Sequence, residues 1–581
     1  MQERNRNTGS FYTPHHVARN IVRRSINHWL FNQTGTQVRL TGGADEESRI
    51  NVLKALSSIT ILDPAVGDGV FLREAKSYLM ELFERLDNDT ESEVLRQEIV
   101  QKHLFGVDIQ DEAVASCRWA LHVEADGESS ALSKNIVQGN SLIGRVRADD
   151  MFPDESSVSR LNWSETFPTV FSKKKDGFDI VIGNPPYGNL LKREEKKILK
   201  QCLGHDIMRG KDGTWSIAAI FIVRSKELLS QQGELALLVP NSILRVGQFK
   251  KTRNFIRDHL NLWGVIDEGN PFDNVTLEMI TIFCSNSLSE HSPYIDVLSR
   301  RPGVQGHHRI PRSSESKPIV SLYDDALFRK ICKRGQTGRI RAIRGRDIPS
   351  QHTQDCGSEE FNIPYATKGR SVRRYQIDER YLKYTDDWWQ SDDALADSFS
   401  NEFIVATKNY PFPRCVKKPS GTIHGGGVVR IVPMDADSNM DATGLILNSR
   451  LARFISTRYL TNYAQLTTCM NTGIAEEIPL ISVDDPKPLA ALFNILQSLY
   501  IEGFSQTDTL LVDRFADALV YSLYLDSYRN TAFLLDMAGE VDSSNIGQSI
   551  AKLRVPEIQA SVDAVMNLND VRRIETSPRM E

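Results

Sequence analysis

Short apolar runs alternate with longer amphipathic stretches over the first half of the chain, from about residue 14 to residue 290. The seven runs that predict strands lie at residues 58–63, 103–109, 135–140, 178–184, 233–240, 263–268 and 279–285. Between them, apolar residues recur at helical spacing, as in GVFLREAKSYLMELFERL and SIAAIFIVRSKELLS. This alternation predicts an α/β fold built on a doubly wound, mainly parallel sheet.

The pattern changes beyond about residue 295, where Arg, Lys, Gly and Pro become frequent and the apolar runs shorten. From about residue 483 onward the apolar spacing becomes that of amphipathic helices. A chain of 581 residues is also too long for one ordinary core. We therefore expect an α/β domain at 1–295, a mixed α+β domain at 296–482 and a C-terminal helical segment at 483–581.

Composition and charge narrow the class of protein. A hydrophobic content of 40%, a charged content of 25% and a net charge of −5 are typical of a soluble globular chain and argue against a histone-like binder. The seven cysteines are scattered without metal-ligand spacing, which indicates a reducing, cytoplasmic setting and no metal site. No apolar run approaches the ~20 residues that cross a bilayer, so we expect neither secretion nor a membrane.

A glycine loop follows the first predicted strand, in ILDPAVGDGVFLREA. Gly67 and Gly69 remove side chains where a ligand approaches the backbone, and the helix that follows presents free N–H groups. The next strand ends on Asp108, whose carboxylate can accept both hydroxyls of a ribose. The GxGxxG fingerprint is absent and Asp108 lies about twice the usual ~20 residues away, so a nucleoside-containing cofactor other than a nicotinamide is expected.

The fourth strand ends on the tetrapeptide Asn-Pro-Pro-Tyr, residues 184–187. The prolines hold Asn184 and Pro185 extended, so their carbonyl oxygens can face one point as a pair of acceptors. Such a pair favours a pyramidal nitrogen with a localised lone pair in an amine conjugated to an aromatic ring. Tyr187 offers a flat face to a planar base. The tetrapeptide therefore predicts chemistry on a ring-bound amino group.

Taken in order, these segments resemble the gamma-class, TaqI-like N6-adenine DNA methyltransferases. The matching segments are GSFYTP at 9–14, DPAVGDG at 63–69, GVDI at 106–109, GNSL at 139–142 and GNPPY at 183–187. The resemblance spans about residues 9–290. It implies a Rossmann-like domain that transfers a methyl group from S-adenosylmethionine to a flipped-out adenine in double-stranded DNA, followed by a DNA target-recognition domain.

The resemblance also implies roles for individual residues. It assigns the cofactor site to Tyr12, Thr13, Pro14, Asp63, Ala65, Gly67, Gly69, Asp108, Asn140, Asn184 and Pro186. It assigns the target base to Asn184, Pro185, Tyr187 and Phe272, the last by its position in NPFDN. Residues 12–14 would close over the methionine part of the cofactor, and Asp108 would bind its ribose. Asn140 departs from the acid that many members carry there, and leaves an amide oxygen as an acceptor for the cofactor's adenine amine.

The second half of the chain carries a concentrated positive charge. Residues 300–346 contain thirteen Lys and Arg against three acids, and RCVKKPSGTIHGGGVV at 414–429 is a second basic, glycine-rich segment. Both are suited to phosphate contacts. Which side chains would read base edges does not follow from the sequence.

Several alternatives stay open at this stage. Cytosine N4 is also a ring-bound amino group, whereas a protein glutamine would not need the long basic half. A non-catalytic DNA-binding subunit that requires a partner is a second class of function. Because the methyltransferase segments begin by residue 9 and no nuclease constellation follows, we expect any cleavage to belong to a separate restriction endonuclease subunit.

Overall fold

The computed structural model describes most of the chain. The described ranges are 12–37, 46–86, 92–123, 130–147, 160–172, 175–188, 190–202, 215–272, 277–287, 292–366, 372–377, 380–383, 393–401, 403–407, 413–435, 439–464, 472–525 and 529–578. Residues 9–11 of the GSFYTP segment lie outside them, and every predicted site residue lies inside. The chain divides into two compact units, Met1–Lys317 and Pro318–Glu581.

A nine-stranded sheet organises the described part of the first unit, with strand order β11-β10-β8-β9-β7-β6-β1-β2-β3. The strands of this unit are β1 Ile61–Asp63, β2 Leu104–Asp108, β3 Ile136–Gln138, β4 Phe171–Ser172, β5 Lys175–Asp176, β6 Phe178–Gly183, β7 Leu229–Pro240, β8 Asn261–Gly269, β9 Met279–Ser285, β10 Tyr294–Ser299 and β11 Gly306–Pro311. β4 and β5 form a separate hairpin. All seven predicted strands are present, which confirms the α/β interpretation of this half.

The sheet is parallel over β7-β6-β1-β2-β3 and mixed beyond β7. β9 is antiparallel to both β7 and β8, and β11 is antiparallel to β10. β10 pairs with β8 and β11 pairs with β10, so the first unit extends to Lys317, past the predicted boundary at residue 295. The reason is that β10 and β11 complete the hydrogen bonding of an edge that β8 would otherwise expose.

Helices cover both faces of this sheet. They are α1 His15–Thr34, α2 Glu46–Leu56, α3 Val70–Leu86, α4 Ser92–Lys102, α5 Asp111–Val123, α6 Ser130–Asn135, α7 Trp163–Thr166, α8 Arg193–Cys202, α9 Ile217–Leu228 and α10 Lys250–His259. α1 and α9 both pack against β6 and β7, but their buried residues belong to two separate apolar clusters. They therefore lie on opposite faces, as a doubly wound sheet requires.

The second unit combines small sheets with helices. Its strands are β12 Ile340–Arg344, β13 Thr353–Gln354, β14 Phe361–Ala366, β15 Val372–Arg373, β16 Gln376–Ile377, β17 Arg380–Lys383, β18 Phe403–Thr407, β19 Cys415–Lys418, β20 Ile423–His424 and β21 Val428–Pro433. They form the sheets β12-β21-β18-β19 and β13-β17-β14-β20 and the hairpin β15-β16.

The helices of the second unit are α11 Ala326–Arg334, α12 Asp393–Ser400, α13 Met440–Asn448, α14 Arg450–Ile455, α15 Thr472–Glu476, α16 Lys487–Glu502, α17 Gln506–Leu525, α18 Arg529–Gly539, α19 Ile546–Leu553, α20 Pro556–Met566 and α21 Asn569–Glu575. α16 packs along α13, so the helices after residue 483 share one compact unit with the strands before them.

A buried ion-pair cluster joins three strands of the large sheet. Arg301, which follows β10, donates from Nε and Nη2 to the two carboxylate oxygens of Asp267 in β8, at 3.0 and 3.1 Å. Its Nη1 donates to Oε1 of Glu278, just before β9, at 2.7 Å. All three side chains are buried. Removing the guanidinium would leave two carboxylates buried without their cation.

We therefore predict that Arg301→Met lowers the free energy of unfolding by about 3 to 5 kcal/mol. Arg309→Met is the matched control, because Arg309 pairs with Asp296 on the surface, where an ion pair contributes about 1 kcal/mol or less. Urea unfolding followed by circular dichroism measures both. Equal midpoints for the two variants would contradict the structural role of Arg301.

Candidate active site

Four parallel strands bring the predicted site segments to one edge of the large sheet. β6, β1, β2 and β3 are neighbours and run in the same direction. The segments that follow them begin at Asn184, Pro64, Ile109 and Gly139 respectively. Because open α/β sheets bind ligands outside the carboxyl ends of their strands, this edge is the candidate site.

A cavity of about 220 Å³ lies at this edge. Six of the predicted site residues line it, namely Ala65, Gly67, Asp108, Asn140, Asn184 and Pro186. The remaining lining residues are Pro64, Ile109, Gln110, Gly139, Ser141, Leu142, Leu190, Leu191, Glu195, Ile217 and Phe221. Leu142, Leu191, Ile217 and Phe221 also belong to one buried apolar cluster, so the cavity has a polar side and an apolar side.

Asp108 is held in place by the backbone of two loops. Its Oδ2 accepts from the Gly67 N–H at 3.0 Å and its Oδ1 from the Gln110 N–H at 2.9 Å. Burial raises the pKa of the Asp108 carboxyl, and these N–H groups oppose the shift. Gly67 has a positive φ of 54°, and nothing stands within 4 Å of the place where a Cβ would be. The Ile109 N–H is a third backbone partner, and a carboxylate with about four lone-pair sites keeps acceptor capacity for a hydroxyl donor beside Gly67.

Asp63 and Gly69 do not line this cavity. They affect the conformation and packing of the glycine loop that follows β1. Asp63 is buried, and its Oδ1 accepts from the Ala65 N–H at 3.0 Å. Gly69 has a φ of 83°, and a Cβ there would stand 2.6 Å from Sγ of Cys117. Gly69 therefore allows α3 to approach α5, and its predicted contact with a cofactor stays a prediction.

The predicted N-terminal segment does reach the Asn-Pro-Pro-Tyr segment. The Asn184 Nδ2 donates to Oγ1 of Thr13 at 2.9 Å, and the Tyr187 hydroxyl donates to Oδ1 of Asn184. Thr13 is buried, whereas Tyr12 is 58% exposed and bonds to His15 through its hydroxyl at 3.2 Å. Both ends of the Asn184 amide are thus held, and its oxygen points toward Tyr187.

The two aromatic residues predicted to hold a base are buried in this structure. Tyr187 and Phe272 are 8% and 6% exposed and belong to the main apolar cluster of the sheet. Neither they nor Pro185 line the cavity described above. Burial raises the pKa of the Tyr187 hydroxyl, which therefore stays protonated and acts as a hydrogen-bond donor. In this state Tyr187 orients the Asn184 amide and presents no open face.

Glu195 lines the cavity, although its position in the sequence does not predict this. It lies in the first turn of α8, and its Oε2 accepts from the Lys192 N–H at 2.7 Å, as in a helix capping box. Its Oε1 accepts from the Nδ2 of Asn140 at 3.2 Å, and the Asn140 Oδ1 accepts from the Leu142 N–H at 3.1 Å. The sequence signal for Glu195 is only that of a helix start, because its contact with Asn140 spans 55 residues.

The second unit contains an arginine cavity of about 580 Å³. Six arginines line it, namely Arg373, Arg374, Arg414, Arg450, Arg453 and Arg514, against the acids Asp513, Asp517 and Glu575. Burial lowers the pKa of Arg453, and the neighbouring charges of Arg450, Arg414 and Arg374 lower it further. An anion in this cavity would relieve that repulsion.

Some Lys and Arg residues of the basic segments are buried or paired within the protein and do not form a positive surface. Arg301 is buried in the ion-pair cluster described above. Lys418, in the predicted second basic segment, is buried and donates to the carbonyls of Pro419 and Thr422. Lys417 pairs with Asp441 at 3.2 Å. Of the residues in that segment, Arg414 lines the arginine cavity.

Within the described ranges, no three or more His, Cys, Asp or Glu side chains gather in a way that could hold a metal ion. Nor do the described helices include one that is long and apolar enough to span a bilayer.

The residues at this edge of the sheet lie in a part of the chain that is similar in sequence to known proteins. Residues 102–272, which include Asp108, Asn140 and Asn184, match the family described as Eco57I restriction-modification methylase. The chain is 23% identical over 334 residues to the Type II restriction enzyme and methyltransferase RM.Eco57I of Escherichia coli, a match covering 49% of this chain and 28% of the relative.

Two further proteins are similar to the chain. The Type II methyltransferase M.BstVI of Geobacillus stearothermophilus is 26% identical over 287 residues, covering 48% of this chain and 42% of the relative. The chain thus spans less than half the length of these two curated relatives. In fold, it resembles the Type IIL restriction-modification enzyme MmeI solved in complex with DNA, with a TM-score of 0.56, 12% identity, and coverage of 94% of this chain and 79% of that one.

The buried carboxyl of Asp63 makes the stability of the protein depend on pH. Burial raises the pKa of Asp63 to about 8, and the nearby charges of Asp108 and Asp68 add to the shift. In an unfolded chain the pKa of an aspartate is about 3.9. Between these values the folded protein holds a proton that the unfolded chain releases, so stability falls as pH rises from about 4 to about 8.

We therefore predict that Asp63→Asn raises the Tm relative to the wild type, by a margin that grows up to about pH 8 and is constant above it. The asparagine keeps an oxygen for the Ala65 N–H but cannot ionise. Asp111→Asn, at an exposed position with the same loss of charge, serves as the control. A margin for Asp63→Asn that is independent of pH between 5 and 8 would contradict the raised pKa.

Proposed function

We propose that this chain transfers a methyl group from S-adenosylmethionine to the N6 amino group of a specific adenine, flipped out of double-stranded DNA, as the modification enzyme of a restriction-modification or defence system. The observation that carries the proposal is the single edge of the sheet where Gly67, Asp108 and Asn184 line one cavity. The similarity to restriction-modification methylases and Type II methyltransferases supports it.

The residues present fit an adenosyl cofactor. Gly67 leaves room against the backbone, Asp108 keeps acceptor capacity for a ribose hydroxyl, and the apolar side can cover a base. When bound, S-adenosylmethionine supplies an electrophilic methyl group on a sulfonium sulfur. The other proposed cofactor residues act around this core: Asp63 and Gly69 shape the loop, and Tyr12, Thr13 and Pro14 cover the site from the N-terminal side.

Asn184 would act on the target amine through a fixed oxygen. Thr13 and Tyr187 hold the amide so that its orientation is set before any substrate arrives. In the proposed transfer Oδ1, which accepts from Tyr187, would also accept from an amine N–H, together with the Pro185 carbonyl. Two such acceptors localise the nitrogen lone pair in the transition state without a strong base. Pro186 lines the cavity, while Tyr187 and Phe272 would contact the base only after they become accessible to it.

The second unit would bind DNA. A polyanion partner fits the arginine cavity, whose lining has three more cations than acids. β12 adds the exposed arginines Arg341 and Arg344 on the same unit. A separate restriction endonuclease subunit is a further proposed partner.

Two alternatives have distinct outcomes in one experiment. The purified chain is incubated with mixed-sequence duplex DNA and methyl-labelled S-adenosylmethionine, and the nucleosides are analysed by mass spectrometry. We expect N6-methyldeoxyadenosine. N4-methyldeoxycytidine would select the cytosine alternative, and the absence of product would favour a DNA-binding subunit that needs a partner.

Two variants separate chemistry from cofactor binding. We predict that Asn184→Ala lowers the single-turnover rate about 10²- to 10³-fold, because one preorganised group is lost, while cofactor affinity changes little. Asp108→Ala should instead weaken cofactor binding about 10-fold or more, because a charged hydrogen-bond partner is removed. Calorimetry and single-turnover assays measure the two quantities. Wild-type turnover in the Asn184 variant would exclude the role assigned to it.

The arginine cavity yields a salt-dependence prediction. The double variant Arg414→Gln/Arg453→Gln should bind duplex DNA more weakly and reduce the slope of log Kobs against log[salt] by about 1.8, the loss of two phosphate contacts. Arg572→Gln is the control, because Arg572 is exposed on α21 and outside the cavity lining. An unchanged slope in the double variant would show that DNA phosphates do not occupy this cavity.

A further inference from the structure

The cavity at the sheet edge contains a second carboxylate besides Asp108, that of Glu195. Asp108 ends β2, and Asn140 follows the neighbouring strand β3. The Asn140 Nδ2 donates to Oε1 of Glu195 at 3.2 Å. Asp108, Asn140 and Glu195 thus line one cavity, and Glu195 is in direct contact with the Asn140 side chain.

Apolar residues of the cavity lining lie near Asn140 and Glu195 in the chain. Leu142 is two residues from Asn140 and shares a buried cluster with Leu191, Ile217 and Phe221. A planar base fits between apolar side chains, and its edge then needs polar partners. Glu195 and Asn140 are the polar side chains that meet there. A nucleoside with its ribose at Asp108 would therefore direct its base toward Glu195.

The helix-capping contact of Glu195 uses only one of its two carboxylate oxygens. Oε2 accepts from the Lys192 N–H, as the first turn of a helix requires. Oε1 instead faces Asn140, whose own oxygen is engaged by the Leu142 N–H. Asn140 therefore fixes the direction of Oε1, and this carboxylate oxygen has a lone pair left for a donor.

We propose that Glu195, oriented by Asn140, reads the base of the cofactor and selects a purine with an amino group at position 6. The proposal rests on the proposed function, because it assigns the cofactor cavity to an adenosyl group. An ionised carboxylate only accepts hydrogen bonds, so it pairs with the 6-amino group and opposes the lone pairs of a 6-oxo group. Glu195 thereby supplies the acceptor that the resemblance implies for the Asn140 oxygen.

The test compares two ligands that differ at the N1–C6 edge of the purine, where one has a 6-amino group and the other a 6-oxo group with a proton on N1. S-adenosylhomocysteine and S-inosylhomocysteine are titrated into the full chain by isothermal calorimetry. We expect the wild type to prefer the adenosyl ligand by roughly 10- to 100-fold, the range for a site that loses a hydrogen bond to a charged group. In Glu195→Gln the preference should fall to within a few fold, since a carboxamide can donate as well as accept.

The choice of variants separates base reading from helix capping. Glutamine keeps the size and the capping acceptor of Glu195, so Glu195→Gln should retain the wild-type Tm. Glu194→Gln removes the same charge from the same turn, but residue 194 does not line the cavity, and it should keep the wild-type preference.

Each other outcome contradicts the proposal. An unchanged preference in Glu195→Gln, or an equal loss of affinity for both ligands, would show that Glu195 only caps α8. A wild-type chain that binds neither ligand would overturn the proposed cofactor, and with it the role of Glu195. Wild-type binding of both ligands with equal affinity would reject base reading alone and leave the methyltransferase proposal standing.

Discussion

The carboxylate of Asp108 joins two loops through one pair of backbone hydrogen bonds, and the candidate site depends on this connection. The Gly67 N–H comes from the loop after β1, and the Gln110 N–H from the loop after β2. An anion that accepts from both loops fixes their spacing, so the cavity floor exists before any ligand binds. The Gly67 N–H reaches the carboxylate from a left-handed backbone conformation, which glycine adopts without strain.

In the Asn-Pro-Pro-Tyr segment, hydrogen bonds from different parts of the chain likewise hold one polar side chain in a fixed orientation. Its asparagine amide is held at one end by Thr13, from the N-terminal segment, and at the other by Tyr187. Tyr187 and Phe272 lie in the apolar cluster, so the site proposed for a target base differs from the cavity proposed for the cofactor in being closed. Binding of a base would have to expose aromatic surface that the present state buries, and the free energy for that step would come from the base itself.

The sequence predicts the central strands because interior parallel strands are buried on both faces and are therefore almost uniformly apolar. It does not predict that β9 inserts between β7 and β8, because strand order follows from pairing between distant segments. The sequence also does not predict the edge strands β10 and β11. Their exposed polar residues, such as His307 and Arg309, make this stretch resemble a basic loop and not a buried apolar strand.

The candidate site follows the same division. Residues whose role depends on a local turn, such as Gly67, Asp108 and Asn184, are predictable from strand ends and from glycine and proline chemistry. Glu195 is not, because its cavity contact is with Asn140, 55 residues away. Charge runs mislead for a similar reason: Arg301 and Lys418 contribute to a basic sequence count, yet both are buried with carboxylate or carbonyl partners. A positive count measures charge along the chain and not charge on the surface.

The proposed function requires that one cavity at the carboxyl edge of β6, β1, β2 and β3 receives the cofactor. The decisive measurement is a crystal structure of the chain with S-adenosylhomocysteine. We expect ribose hydroxyls within hydrogen-bond distance of Asp108, the purine beside Glu195 and the sulfur toward Asn184. Density for the ligand anywhere else, or in this cavity with the ribose away from Asp108, would contradict it.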